Sequence, residues 1–83
     1  MRIATTPYHP PVKRSVTIAG HETSVSLEPV FWERLSAAAT ARNLPLNALI
    51  AQIDAERIVA PLPPNLGSAL RVWVLANYNN GFG

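Results

Sequence analysis

The chain has 83 residues, a formal net charge of +2 and no cysteine. A chain of this length forms at most one domain, and neither a disulfide nor a thiolate zinc site can stabilise it, so we expect an obligate homodimer. No apolar run approaches the roughly 18 residues of a membrane span, and residues 1–11 lack the apolar segment of a secretory signal. We therefore expect a cytoplasmic protein without a membrane partner, whose mild basic charge permits a polyanionic one.

The chain begins with a proline-rich stretch, followed by an alternating one. Three prolines between Ala4 and Pro11 predict an extended arm over residues 1–11. Polar and apolar side chains then alternate from Lys13 to Ile18, which predicts a strand. We place a single folded domain at residues 12–78 and a frayed tail at 79–83.

A second alternating run, residues 23–27, predicts a second strand. The tetrapeptide between the two runs, residues 19–22, contains a glycine that takes positive φ freely, so we expect a hairpin with a four-residue loop. In the register that this loop sets, Val16 faces Val25. One face of the hairpin is then apolar, and the other carries hydroxyl groups.

Helical patterns follow the second strand. Because proline is tolerated in the first turn of a helix, Glu28-Pro29 predicts a helix start, with Ser26 or Glu28 as the N-cap. This helix is expected to end near residue 42, before the break at 43–45. A second helix runs from 45 to about 58. Residues 69–78 fit a strand or a helix, and their length, with Ser68 as a cap, favours a largely buried helix. The apolar residues expected in the core of a dimer are Val25, Leu27, Phe31, Leu35, Leu49, Ile50 and Ile53.

Several runs carry a family resemblance. They include residues 13–21 (KRSVTIAGH), 23–28 (TSVSLE), 46–50 (LNALI) and 68–71 (SALR). From about Lys13 to Tyr78, the sequence resembles short bacterial ribbon-helix-helix domain proteins of the Arc/MetJ-type superfamily. The resemblance implies a mostly helical α+β fold, here with an added N-terminal strand and a C-terminal third helix. It also implies an intertwined homodimer that regulates transcription, in which one strand of each chain enters the major groove of double-stranded DNA.

The resemblance also implies which residues meet DNA. Ser24 and Ser26 point at base edges, and because a hydroxyl group both donates and accepts, they discriminate bases weakly. Glu22, the next residue on that face, departs from what DNA binding requires, because phosphates repel a carboxylate. It either accepts a hydrogen bond from a cytosine amino group or curls away in the turn. Phosphate contacts are expected from two groups, near the first strand and at the start of the second helix. They are Lys13, Arg14, Ser15, Thr17, Leu46, Asn47 and Ala48.

Other interpretations of these residues stay open. The serines fit an ordinary solvent-facing strand, and the basic pair at 13–14 fits charges that protect a sheet edge. Residues 66–78 suggest a protein-interaction or oligomerisation module that does not bind DNA. His9 and His21 are isolated, so we expect no metal site and no cofactor. Ser24, His21 and Asp54 match a triad by residue type alone, and we expect no enzymatic activity.

Overall fold

The computed structural model describes residues 8–77, which form a two-stranded ribbon followed by three helices. The elements are β1 (Val12–Ile18), β2 (His21–Leu27), α1 (Pro29–Ala41), α2 (Leu46–Ile58) and α3 (Leu66–Asn77). This order confirms the predicted α+β fold, mostly helical, with an added N-terminal strand and a third helix. Residues 8–11 of the predicted arm have no regular secondary structure, whereas its first seven residues and the predicted tail lie outside the described residues.

The hairpin has a tighter turn than predicted. Ala19 and Gly20, with φ of 52° and 81°, form a two-residue turn, and positive φ at both positions matches the twist of the flanking strands. The predicted four-residue loop is therefore wrong, because the alanine adopts the left-handed conformation expected only of the glycine. Val16 lies opposite Thr23 instead of Val25, a register shift of two residues. Since side chains alternate with a period of two, every residue keeps its predicted face.

Helix α1 begins and ends where the sequence indicates. Pro29 occupies its first turn and Glu28 is the N-cap residue, although no side chain caps the helix. At the other end Asn43 adopts a φ of 58°, and the amide of Leu44 donates to the carbonyl of Ala39 at 2.9 Å. A left-handed residue followed by such a bond is a common way to close a helix.

Helix α3 begins three residues earlier than predicted, at Leu66. Its cap is Asn65, whose side-chain oxygen accepts a hydrogen bond from the amide of Ser68 at 2.7 Å. Ser68, the predicted cap, lies inside the helix. Asparagine and serine are both common N-cap residues, and the sequence pattern alone does not show whether Asn65 or Ser68 caps α3.

Helix α3 is less buried than predicted. Leu70 and Val74 are buried in the core, but Val72 is 62% exposed and Leu75 is 73% exposed. The helix therefore packs along one side and leaves an apolar surface open to solvent.

The core lies between the ribbon and the three helices. Of the seven residues predicted for the core of a dimer, six are already buried within a single chain, whereas Phe31 is only partly buried. Trp32, in the first turn of α1, is also buried, and its indole N–H donates to the carbonyl of Val12 at 2.9 Å. That bond satisfies the polar group of a buried tryptophan and fixes the start of β1 on α1. Among residues 8–77, those with less than 5% of their surface exposed are Val16, Val25, Leu27, Trp32, Leu35, Ala38, Ala39, Leu49, Ile50, Ile53, Leu70 and Val74.

Candidate nucleic-acid interface

The face of the ribbon that points away from the core is entirely polar, and we call it the polar face. Its side chains come from alternate positions of both strands, and all of them are exposed. They are Lys13, Ser15, Thr17, Glu22, Ser24 and Ser26. Val16, Val25 and Leu27 point the other way and are buried. Five of these residues are hydroxyl or lysine side chains suited to meet DNA, and Glu22 brings the one negative charge of this face.

The structure separates the two basic residues of β1. Lys13 is on the polar face, across from Ser26, whereas Arg14 is on the opposite face, across from Val25. The guanidinium carbon of Arg14 lies 5.1 Å from the centre of the Trp32 ring, a cation–π contact. The predicted pair of phosphate contacts is thus divided between the polar face and the side of α1.

The start of α2 offers backbone amides to an anion. The first amides of a helix have no acceptor within the helix. Because α2 begins at Leu46, the amides of Leu46 and Asn47 lie outside the helical bonding pattern. The amide of Ala48 already donates to the carbonyl of Pro45 at 3.0 Å. Two of the three predicted amides, with the exposed Asn47 side chain and the helix dipole, can therefore face a phosphate without losing an existing bond.

The turn determines which residues of β2 point their backbone groups to its outer edge, the edge away from β1. A two-residue turn makes its flanking residues, Ile18 and His21, a hydrogen-bonded pair, and such pairs then alternate along the ladder. The backbone groups of Glu22, Ser24 and Ser26 consequently point away from β1. These groups are the ones that a further strand would bond.

A junction that the sequence analysis missed lies at the end of β2. Nε of Arg71, on α3, donates to Oε1 of Glu28 at 3.1 Å, and Nη2 lies 3.0 Å from the same oxygen. Nη2 also donates to the carbonyl of Ser26 at 3.4 Å, and the guanidinium carbon lies 5.7 Å from the centre of the Phe31 ring. Residues 28 and 71 are 43 positions apart, so no local pattern connects them. We call these contacts the Arg71 junction.

The carboxylate of the junction is held in its charged form. A hydrogen bond from its own backbone amide is the main cause that holds the pKa of the Glu28 carboxyl below its ordinary value; burial opposes it, and the hydrogen bond and charge of Arg71 lower the pKa further. Both partners are partly exposed, so solvent weakens their attraction. The ion pair therefore adds little stability, and its main effect is to orient the two side chains.

The structure does not bring the three residues of the triad pattern together. Ser24 is on the polar face, whereas His21 and Asp54 line a cleft of about 410 Å³ on the other side of the ribbon. Asp54 is paired there with Arg57 at 2.8 Å. Within residues 8–77, no three histidine, aspartate or glutamate side chains are grouped to hold a metal ion.

None of the helices between residues 8 and 77 has the length and apolar character needed to cross a bilayer. The fold and the site together define a small α+β domain in which an antiparallel ribbon with a polar outer face precedes a helical core. A family model described as a ribbon-helix-helix domain matches residues 11–78, which is most of the chain. The protein belongs to this family, as the resemblance predicted, and such domains are generally found in DNA-binding regulators. Searches of the curated proteins and of the solved structures gave no match.

Proposed function

We propose that the protein is a homodimeric transcriptional regulator that binds specific DNA sequences through the polar face of its ribbon. The observation that carries this proposal is the uniform chemistry of that face, with six exposed polar side chains opposite three buried apolar ones. The major groove is about 12 Å wide and admits a two-stranded ribbon. Hydroxyl groups and a lysine on such a ribbon match the donors and acceptors of base edges and phosphates.

The second copy pairs along the outer edge of β2. Its strand runs antiparallel and bonds the backbone groups of Glu22 and Ser24 and the amide of Ser26, whose carbonyl accepts from Arg71 at 3.4 Å. The strand order across the dimer is then β1-β2-β2-β1. Strands lie about 4.8 Å apart, so each β1 lies roughly 7 Å from the dimer axis. Half the width of the major groove is about 6 Å. The central strands then face the bases, and the β1 strands follow the phosphates at the two rims.

This arrangement gives each polar side chain a role. Ser24 and Ser26, on the central strands, contact base edges, and Glu22 beside them accepts a hydrogen bond from a cytosine amino group. Lys13, Ser15 and Thr17, on the outer strands, contact phosphates. The hydroxyl groups discriminate less than a bidentate side chain, so several weak contacts, doubled by the dimer, define the target site.

Further phosphate contacts hold the dimer on the duplex. The free amides of Leu46 and Asn47, beside Ala48 at the start of α2, bind a phosphate with the help of the helix dipole. Arg14 adds positive potential at the side of α1, where its side chain is exposed.

The proposal is tested by selecting bound sequences from a random DNA pool and titrating the selected site with salt. We expect a preferred site and an affinity that falls steeply as salt rises. Replacing Ser24 and Ser26 together by alanine should change the preferred sequence more than the affinity for random DNA. Negligible affinity at low salt, from a protein that is folded and dimeric, would refute the proposal.

A second candidate function is supported by α3. Val72 and Leu75 are mostly exposed, and large apolar side chains on a helix surface suit a protein partner or a larger oligomer. Under this alternative the domain binds no DNA. Serine at both positions would then abolish partner capture or higher assembly, whereas alanine at Ser24 and Ser26 would have no effect.

A further inference from the structure

The Arg71 junction joins three elements at the end of β2, which we call the reading strand because it carries Ser24 and Ser26. Glu28 is the residue between β2 and α1, Phe31 lies in the first turn of α1, and Arg71 comes from the middle of α3. The guanidinium group contacts the first two and the Ser26 carbonyl at once. A planar group with donors in fixed directions restrains its partners more strictly than a flexible ammonium group does.

The ladder explains why the carbonyl of Ser26 is available to Arg71. Ser26 pairs with Lys13 at a position where the two residues exchange no backbone hydrogen bond, so its carbonyl points to the outer edge. Its side chain is on the polar face and exposed. One residue thus presents its backbone to α3 and its hydroxyl group to solvent.

We propose that Arg71 is a positioning residue for the reading strand: by holding the Ser26 carbonyl from α3, it sets the place of the Ser26 hydroxyl group and with it the base preference of the polar face. This inference rests on the proposed DNA-binding function. A hydroxyl hydrogen bond has an optimum near 2.8 Å and is lost within less than 1 Å of further separation. A small movement of the strand end therefore removes discrimination without removing phosphate contacts.

The test substitutes Arg71→Lys, which keeps the positive charge near DNA but not the planar set of donors. The matched control is Arg57→Lys, because Arg57 also pairs with a carboxylate, at 2.8 Å, and donates to a backbone carbonyl, that of Pro64 at 3.2 Å, but on α2. The measurement is the ratio of affinities for a selected DNA site and a scrambled site at one salt concentration. Arg71→Lys should lower this ratio about three- to tenfold, and Arg57→Lys should leave it unchanged.

A double-mutant cycle shows whether Arg71 acts through Ser26. In a Ser26→Ala background, Arg71→Lys should have no further effect on the ratio, because the hydroxyl group that it positions is gone. An undiminished effect in that background overturns the inference. So does an equal loss of affinity on both DNA sites, which indicates a general structural or phosphate role, and so does an unchanged ratio.

Folding of each variant is checked by thermal melting. If Arg71→Lys does not fold, Glu28→Ala decides, since it removes the carboxylate that holds the guanidinium group beside the Ser26 carbonyl. A folded Glu28→Ala protein with the original ratio overturns the inference and leaves the proposed function intact. Absence of DNA binding by the unaltered protein overturns both.

Discussion

The polar face of the ribbon and the open side of α3 are both exposed, but their chemistry is opposite. The ribbon turns hydroxyl and charged side chains to solvent and buries its apolar ones. Helix α3 also buries one apolar side, yet it leaves Val72 and Leu75 exposed as well. A polar ribbon suits a hydrated polyanion, whereas an apolar helix surface suits protein. This small chain therefore has two exposed surfaces of opposite chemistry, and substitutions can distinguish them.

The largest effect is expected from substitutions in the core that supports both surfaces. Leu35 and Ile50 are fully buried at the centre of the core, so Leu35→Ala or Ile50→Ala should each cost about 2–5 kcal/mol of unfolding free energy. Denaturant unfolding measures the loss, and DNA binding and dimerisation should fall together. Ala37→Ser, on the exposed side of α1, is the control and should change stability by less than about 0.5 kcal/mol. A DNA-binding double mutant of full stability would contradict this core assignment.

The next largest effect, on DNA binding, is expected from substitutions in the ribbon. Lys13→Ala should weaken binding to all DNA sequences alike and reduce the slope of log affinity against log salt by about 0.9 for each lysine, or roughly two for a dimer. Arg14→Ala is the matched comparison, because this neighbour is on the opposite face over Trp32. It should change the slope less and lower the melting temperature more. Equal slopes for the two variants would argue against a role for the polar face.

A smaller effect tests the turn that sets the ribbon. Ala19 holds a φ of 52°, which costs an alanine roughly 1 kcal/mol, whereas asparagine before glycine favours this type of turn. Ala19→Asn should therefore raise the unfolding free energy by about 0.5–1 kcal/mol without altering DNA preference. Thermal melting measures the gain. A lower melting temperature would mean that the turn is not of the two-residue type.

The smallest effect is expected from α3. Serine at Val72 and Leu75 should change stability by no more than about 0.5 kcal/mol per site and leave DNA affinity unchanged. Analytical ultracentrifugation of the double variant would show whether assembly beyond a dimer is lost. A loss of DNA affinity would mean that the two surfaces are not separable.

The sequence predicts the elements better than it predicts the contacts between them. Alternation located both strands, and proline with asparagine located the limits of α1, because these signals are local. The hairpin register depended on whether one alanine accepts positive φ, a choice that hydrophobic pattern does not encode. Asn65 and Ser68 were both candidate N-caps of α3, and the pattern did not decide between them. The division of Lys13 from Arg14 was implicit in the alternation, but the Arg71 junction spans 43 residues and required the folded structure.

The two-residue turn also determines which length changes the hairpin can absorb. Inserting a pair of residues at Ala19-Gly20 lengthens the connection at little entropic cost and leaves the pairing of Ile18 with His21, and so the face of every residue, unchanged. Inserting a single residue and shifting the pairing by one would turn Lys13 and Ser15 toward the core and bring Arg14 and Val16 out to solvent. The hairpin therefore tolerates changes that leave its pairing in place or shift it by two residues, but not a shift by one, because the pleat of the strand alternates the two faces.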